Sequence, residues 1–165
     1  WSVKRMEKDI LRILENDAHT STKEISAVTG ISATGVTHFI KQSEKDRVIL
    51  KYKALVNWDK VDDEHVLALI EVKLTPEKDV GFDAVAERIY SFPQTRTVYL
   101  ISGSYDLFVL VSARTNHEVA DLVTQKLSRV EGVQGTITQF VLKRYKEDGE
   151  VIGERKEVKR EPVIL

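Results

Sequence analysis

The chain has 165 residues, of which 42% are hydrophobic and 31% charged, and its formal net charge is −1 at pH 7. This length suits one medium domain or two small ones, and the composition excludes an intrinsically disordered chain. It contains no apolar run of about 18 residues, which excludes a membrane-spanning helix. The chain has no cysteine, which excludes disulfides, thiolate metal sites and cysteine nucleophiles and fits a cytoplasmic location.

Charge is unevenly distributed along the chain. Residues 1–60 hold eleven basic and eight acidic side chains, a net charge of +3, whereas residues 61–165 hold fourteen and eighteen, a net charge of −4. The basic surplus is a weak indication of nucleic-acid binding, and chance accounts for it equally well. No apolar stretch follows Lys4 and Arg5, so we expect no secretory signal.

Two short helices are predicted first. Residues 6–16 form an amphipathic helix because their apolar residues repeat with helical spacing, at Met6, Ile10, Ile13 and Leu14. Ser21 and Glu24 have the spacing of a capping box, which begins a second helix carrying Ile25 and Val28. Gly30 ends that helix.

A third helix and an extended segment follow. Ser32 is a suitable N-cap for the helix, whose inner face carries Val36, Phe39, Ile40 and Ser43. Residues 48–56 alternate apolar side chains with Lys51 and Lys53, which predicts a β-ribbon. Three helices with a short glycine-containing turn before the last, followed by such a ribbon, are typical of a winged helix-turn-helix.

From residue 65 onward the apolar residues repeat at every second position instead of with helical spacing. Alternating apolar residues predict a strand that ends at Thr75 and Pro76. A helix is predicted over 81–91, strands over about 97–102 and 106–113, a helix capped by Asn116 and stopped by Gly132, and a strand from about 134 to 145. The order β-α-β-β-α-β is that of a ferredoxin-like sandwich, so the predicted fold class is α+β.

Both faces of the predicted sheet are apolar. One set of alternating residues comprises Leu67, Leu69, Phe108, Leu110, Ile137 and Val141. The other comprises Ile70, Val72, Val109, Val111, Phe140 and Leu142. Two helices cover only one face, so the second face needs a partner, and a second copy of the chain is the simplest one. The alternative is that the linker or the C-terminal tail covers it.

The third predicted helix offers a surface for DNA. Base recognition in the major groove needs short polar or cationic side chains, and phosphate contacts need hydroxyls and cations. The helix and the ribbon provide such residues at Ser32, Thr34, Thr37, His38, Lys41, Lys51 and Lys53. For isolated residues an ordinary solvated helix face would be the better interpretation, but the complete helix-turn-helix arrangement favours DNA binding.

The chain resembles the Lrp/AsnC family, also called feast/famine regulatory proteins, from about Met6 to Gly149. The resemblance rests on Lys8–Leu11, GISATGVTHFIKQSEKDRVI at 30–49, Asn57–Trp58, SGSYDLFVLV at 102–111 and Phe140–Tyr145. It implies a winged helix-turn-helix over residues 1–60, an amino-acid-sensing and oligomerisation domain of RAM/ACT-like build over 61–149, and a charged tail over 150–165. It also implies dimers that assemble further, commonly into octamers, and the regulation of amino-acid metabolism and transport genes.

The sequence departs from this family where DNA is contacted. The family usually has basic residues near His38 and Phe39, an apolar residue at Ser43 and often glycine at Arg47. Phe39 lies four residues from Ser43 and can fill the space that this serine leaves. Fewer cations predict weak affinity for each half-site, so several DNA-binding domains must act together.

The expected effector site is the segment Gly103, Ser104, Tyr105 and Asp106. A free amino acid needs amide donors for its carboxylate and an anion for its ammonium group, and a glycine turn and Asp106 provide these. By family resemblance, Thr136 and Thr138 face the same ligand at a contact between dimers. The alternative is that Gly103 only makes a tight turn and that Asp106 accepts local amides.

Enzyme signatures are weak. The four histidines are scattered without metal-type spacing, and neither GxxxxGK[ST] nor GxGxxG occurs. We therefore expect a non-enzyme without a cofactor, a transcriptional regulator that binds double-stranded DNA, an amino acid and other copies of itself. The alternatives are an effector-insensitive nucleoid protein and a haem-biosynthetic decarboxylase of similar two-domain build.

Overall fold

The computed structural model describes residues 5–61, 65–75 and 81–153. The chain divides into two compact units, residues 1–56 and residues 57–165. The first unit is helical, and the second is an αβ sandwich. Within the described ranges, no helix combines the length and the hydropathy needed to cross a membrane.

The first unit contains the three predicted helices, α1 (Arg5–Asn16), α2 (Thr22–Thr29) and α3 (Ala33–Lys45). Each helix contributes to one core, whose buried members are Ile10, Ile25, Val36 and Phe39. Ser43 is fully buried beside this core. Both Phe39 and Ser43 therefore face inward, as is required if Phe39 fills the space that this serine leaves. Met6 and Val28 are exposed because each lies near a helix end, away from the packed faces.

Local hydrogen bonds fix the helix ends as predicted. The Ser21 hydroxyl accepts from the Glu24 amide, and the Glu24 carboxylate accepts from the Ser21 amide at 2.8 Å. The Ser21 hydroxyl also donates a hydrogen bond to this carboxylate, and that bond lowers the pKa of Glu24 below its usual value. Gly30 has a φ of 73° at the end of α2, a conformation that suits glycine. Ser32 caps α3 by accepting from the Gly35 amide at 3.2 Å.

The predicted ribbon over residues 48–56 is wrong, because no strand is present in that range. The amides of Val48 and Ile49 both donate to the Ser43 carbonyl, at 2.8 and 3.0 Å. These amides therefore close the end of α3 and are not available to a neighbouring strand. Tyr52 then returns to α3, where its hydroxyl donates to the Glu44 carboxylate at 2.9 Å.

The second unit has the predicted β-α-β-β-α-β order. Its elements are β1 (Val66–Leu74), α4 (Phe82–Tyr90), β2 (Thr95–Leu100), β3 (Leu107–Ala113), α5 (Asn116–Asp121) and β4 (Val133–Phe140). The four strands form an antiparallel sheet in the order β2-β3-β1-β4. This arrangement confirms the ferredoxin-like sandwich and the α+β fold class.

The second helix of the sandwich differs from its prediction in two ways. Its N-cap is Thr115, whose hydroxyl accepts from the Glu118 amide at 3.1 Å, and Asn116 is already helical. After α5 the chain makes a π-helical turn and then a 3₁₀ turn. A π turn changes the direction of the residues that follow it relative to a regular helix. Leu122, at i+3 from Val119, is buried, and the predicted core residue Val123, at i+4, packs against the same core.

The last strand is shorter than predicted. Phe140 pairs with Ala68, and the Val141 amide donates to the Leu67 carbonyl at 2.9 Å. β1 begins only one residue earlier, at Val66, so no partner remains for a strand that continues to residue 145. Leu142 is accordingly 96% exposed rather than part of the apolar face on which its spacing had placed it.

A small hairpin follows the sheet, with strands β5 (Lys146–Glu147) and β6 (Glu150–Val151). Asp148 and Gly149 both have positive φ at its turn, as an Asp-Gly hairpin turn requires. Ile152, directly after β6, is buried in this unit. Residues 154–165 of the tail lie outside the described residues.

The segment after residue 56 is tied to this hairpin. The Asn57 side-chain amide donates to the Ile152 carbonyl at 2.9 Å, and Arg144 pairs with Asp59 at 3.3 Å. The two compact units divide after Val56 for this reason, four residues before the predicted boundary at residue 60.

The helices of this unit cover one face of the sheet and leave the opposite face exposed. Ile70, Val72, Val109 and Val111 are fully buried under the helices, together with Val85, Ile89 and Val119. The opposite face carries Leu67, Leu69, Phe108, Leu110, Ile137 and Val141, each only partly buried or exposed. Tyr99, 60% exposed, stacks on Phe108 there at 6.5 Å between ring centroids. Among the residues that the structure describes, none covers this face.

Candidate DNA interface and effector site

The outer face of α3 carries three of the predicted DNA contacts. Thr34, His38 and Lys41 have the spacing i, i+4, i+7 and are all exposed, so they form one stripe along the helix. The turn from Gly30 to Ser32 sets the start of α3. A Cβ on Gly35 would lie 3.0 Å from Ile31 Cγ2 and 3.1 Å from Ser32 Oγ, and so glycine lets this turn pack closely against the helix.

Two further predicted contacts use their hydroxyls inside the helix. Ser32 Oγ accepts from the Gly35 amide, and Thr37 Oγ1 donates to the Ala33 carbonyl at 2.9 Å. Thr37 is also half-buried. These residues stabilise and orient the first turn of α3, and the chemistry for base or phosphate contact falls chiefly on the outer stripe.

Lys51 and Lys53 are exposed on the segment after α3. The bond between Tyr52 and Glu44 anchors that segment between the two lysines, and burial is the main reason that the pKa of Tyr52 is raised, with Glu44 adding to it. The sequence prediction missed Tyr52 in this role. It also missed Lys45, which is exposed and extends the α3 stripe by one turn; its spacing of four from Lys41 was the available signal.

The expected effector segment is the connection between β2 and β3. The Ile101 amide donates to the Asp106 carbonyl at 2.9 Å, which closes the loop, and the Asp106 amide donates to the Val72 carbonyl at 3.0 Å. Gly103 has a φ of 151°, a value that favours glycine, and Ser104 is exposed while Tyr105 is half-buried. The loop is therefore fixed at its base against β1 and open at its tip.

The Asp106 carboxylate already has two partners. Its Oδ2 accepts from the Leu74 amide at 2.8 Å and lies 3.2 Å from Lys73 Nζ. The Leu74 bond is the main cause that lowers the pKa of Asp106, and Lys73 adds to it. Asp106 thus accepts local amides, as the alternative interpretation stated. A carboxylate has further lone pairs, and the 22% exposure of this side chain leaves room for another donor.

Thr136 and Thr138 lie on the other side of β1. They pair with Val72 and Ile70 respectively, so their side chains share the helix-covered face. β1 separates them from Asp106 by two strand spacings, about 10 Å. Within one chain, the structure therefore brings Gly103–Asp106 together but does not place the two threonines at the same loop.

Two family sequence profiles match the chain. The profile of the Lrp/AsnC ligand-binding domain matches residues 67–151, and a profile of winged helix-turn-helix DNA-binding domains matches residues 3–51. The first match covers β1 to β6, and the second covers α1 to α3.

Curated relatives and solved structures agree with these profiles. The chain is 44% identical over 146 residues to the HTH-type transcriptional regulator YugG of Bacillus subtilis, covering 88% of each protein. It is 31% identical to the regulator FL11 of Pyrococcus furiosus, covering 88% of this chain and 93% of that one.

Among solved structures, E. coli AsnC superposes with a TM-score of 0.66 at 19% identity, covering 89% of this chain and 97% of that one. The regulator NMB0573 of Neisseria meningitidis, solved as its L-Met complex, gives a TM-score of 0.66 at 21% identity and covers 88% and 94%. These likenesses concern the fold. The relatives are named as transcriptional regulators rather than enzymes, and the chain belongs to the Lrp/AsnC family of DNA-binding transcriptional regulators with a ligand-binding domain.

Proposed function

We propose that this regulator acts in the cytoplasm on genes of amino-acid or nitrogen metabolism, and that an amino acid bound between dimers changes its engagement with DNA. The observation that carries this proposal is the Gly103–Asp106 loop, which joins a fixed carboxylate to a glycine-containing tip on the family's ligand-binding domain. A relative of the same fold, NMB0573, was solved with L-Met, which supports an amino acid as the class of effector.

DNA contact is assigned to the α3 stripe of Thr34, His38 and Lys41, with Ser32 and Thr37 setting the first turn. Lys51 and Lys53 contact phosphates from the following segment. Four exposed lysines per subunit, Lys41, Lys45, Lys51 and Lys53, give a modest electrostatic contribution, because each phosphate contact adds about one to the slope of log affinity against log salt. Strong binding therefore needs several subunits on one DNA.

The exposed sheet face supplies the contact between subunits. Its apolar residues are half-exposed in a single chain, and a two-fold pairing of the same face removes them from water. We propose a dimer through this face, with further assembly to an octamer through other contacts. Leu110→Asp is expected to produce monomers in light scattering, whereas the exposed Val28→Asp on α2 is the matched control and should keep the dimer. A wild-type monomer at micromolar concentration would contradict the proposed dimer.

The mechanism follows from these assignments. An amino acid lodged between dimers contacts the loop of one subunit and the β4 threonines of another, which β1 separates within each chain. The ligand stabilises the assembly in which both parts are close, and this shifts how many helix-turn-helix units engage DNA together. A ligand that binds with equal affinity to all assemblies would not change the equilibrium between them.

The DNA experiment is a salt titration by fluorescence anisotropy on the region upstream of the gene, with unrelated competitor DNA. Lys41→Gln is expected to reduce the salt slope by about one for each contacting subunit. Lys146→Gln makes the same charge change on the hairpin of the second unit and should leave the slope unchanged. Equal slopes for the wild type and Lys41→Gln would remove Lys41 from the interface.

The effector experiment repeats this titration with and without a mixture of the twenty amino acids. Asp106→Asn keeps an oxygen for the Leu74 amide but removes the charge, so it is expected to abolish the response while the dimer persists. An unchanged response in this variant would reject the loop as the site. Specific DNA binding that ignores the mixture in the wild type would favour the effector-insensitive nucleoid alternative.

A further inference from the structure

Arg47 lies directly after Asp46, the C-cap of α3, in a left-handed conformation with a φ of 56°. The Val48 amide donates to the Ser43 carbonyl at 2.8 Å, and the Arg47 amide donates to the Glu44 carbonyl at 3.1 Å. These two bonds form the Schellman motif, in which the residue after the C-cap adopts the left-handed conformation and is usually glycine. The end of α3 therefore fixes the backbone of Arg47 and favours glycine at this position.

An arginine at this position is unfavourable for folding. In the left-handed conformation the Cβ of any residue other than glycine crowds the following carbonyl oxygen. Strained residues of this kind cluster where a protein contacts a ligand or changes conformation. The strain at Arg47 therefore indicates a function for its side chain, and the surrounding charges indicate which one.

The basic surplus of residues 1–60 lies entirely within residues 41–53. That range holds two acidic side chains, Glu44 and Asp46, and five exposed basic ones, Lys41, Lys45, Arg47, Lys51 and Lys53, so its net charge is +3. The remainder of residues 1–60 has as many acidic as basic side chains. Such a concentration of cations on and after a recognition helix is typical of contact with DNA phosphates.

The Arg47 side chain is available to a partner outside the chain. It is exposed, and it forms no ion pair or hydrogen bond with a residue that the structure describes. The two carboxylates closest to it in the sequence bond elsewhere. Glu44 accepts from the Tyr52 hydroxyl, and Asp46 accepts from the Gln42 side-chain amide, each at 2.9 Å. Neither carboxylate is bonded to Arg47, whose guanidinium keeps its full set of donors.

The length of α3 matches contact between its far end and the DNA backbone. The helix has 13 residues and is therefore about 20 Å long, whereas the major groove is about 12 Å wide. Recognition helices contact base edges with their N-terminal residues. When the start of α3 lies in the groove, its C-terminal end reaches the phosphates that border the groove. A planar guanidinium there can bind a phosphate through two parallel hydrogen bonds.

We propose that Arg47 contacts a DNA phosphate at the C-terminal end of α3. The inference rests on the DNA interface proposed above for α3, and it adds a cation that lies outside the helix and its outer stripe. The arginine makes the cap of α3 less stable than glycine would, and phosphate binding accounts for its presence. The contact carries no base preference, because phosphates border the groove whatever the sequence.

The test is a salt titration of DNA binding by fluorescence anisotropy. It uses two labelled duplexes of equal length, one from the region upstream of the gene and one of unrelated sequence. Arg47→Gln is expected to reduce the slope of log affinity against log salt by about one for each contacting subunit, on both duplexes. Between about 50 and 200 mM salt, the wild type should then lose about threefold more affinity than the variant for each such subunit.

Two further substitutions separate the charge of Arg47 from its conformation. Arg47→Lys keeps the charge and should keep the wild-type slope. Arg47→Gly should reduce the slope as Arg47→Gln does, and yet unfold at a higher temperature than the wild type, because glycine suits the left-handed conformation. Arg129→Gln is the matched control. It makes the same charge change at an exposed arginine of the second unit that bonds Gln125, and it should leave the slope unchanged.

The outcomes distinguish this proposal from the wider interface. If Lys41→Gln reduces the slope but Arg47→Gln does not, Arg47 is removed from an interface that otherwise stands. Wild-type slopes in both variants would overturn the α3 interface as well. A lower melting temperature in Arg47→Gln with an unchanged slope would assign the cation to the dipole of α3 instead. A reduced slope in Arg47→Lys or in Arg129→Gln would also overturn the proposal, because the effect would then not follow the charge at residue 47.

Discussion

Replacing Ser43 by alanine is expected to stabilise the helical unit. Ser43 is fully buried in α3, and its hydroxyl has no hydrogen-bond partner among the described residues. An unsatisfied buried hydroxyl costs about 1–3 kcal/mol, and alanine adds about 0.5 kcal/mol of helix propensity. The void left by one oxygen, about 10 Å³, subtracts only about 0.2 kcal/mol at 24 cal/mol per Å³. We therefore expect a gain of about 1–3 kcal/mol.

The measurement is thermal unfolding followed by circular dichroism at the helix band, with hydrogen exchange of the α3 amides to assign the change to this unit. For a unit of this size, each kcal/mol raises the melting temperature by about 4–8 °C. Ser26→Ala on α2 is the matched control, since Ser26 is helical but not fully buried and reports the propensity contribution alone. A Ser43→Ala melting temperature no higher than that of Ser26→Ala would refute the assignment of an unsatisfied hydroxyl.

Three other predictions concern single residues. Arg47 has a φ of 56°, a left-handed conformation that is unfavourable for any residue with a Cβ. Arg47→Gly should therefore raise the free energy of unfolding by about 0.5–1 kcal/mol, after allowance for the entropy that glycine adds to the unfolded chain, whereas Arg47→Ala should not raise it. The pKa of Asp106 is lower in the folded protein than in the unfolded chain. Its ionised carboxylate therefore contributes fully to stability above the unfolded pKa, near 3.9, and this contribution is lost as the pH falls through the folded pKa. An Asp106 titration midpoint by NMR at or above the unfolded pKa would contradict this. Thr115→Ala should cost about 1 kcal/mol in chemical denaturation because it removes the cap on the Glu118 amide, whereas Thr115→Ser should be nearly neutral.

Local sequence signals determined most of the secondary structure. The capping box at Ser21 and Glu24, the cap at Ser32 and the stop at Gly30 depend on residues within four positions of each other, and all three are confirmed. The alternation through 66–74 likewise specified β1 and its inner face. Such features are predictable because the hydrogen bonds or faces involved lie within one element.

Features that depend on a distant partner were not predictable. β4 does not reach residue 145 because β1 begins at Val66, whose partner in the same register is residue 142, and a strand cannot be longer than its pairing. Residues 48–56 form no strand, and the first two amides of this range, those of Val48 and Ile49, donate instead to the Ser43 carbonyl. The π turn after α5 is an adjustment that a regular helical period does not indicate.

The same distinction applies to the sites. The sequence alone determined the family, the helix-turn-helix and the polar stripe of Thr34, His38 and Lys41, because their spacing on one helix fixes their common face. Only the tertiary structure showed that Leu74 and Lys73 occupy part of the Asp106 carboxylate. It alone also placed β1 between Asp106 and the two threonines Thr136 and Thr138, because pairing with distant segments, not local spacing, sets the order of strands in a sheet.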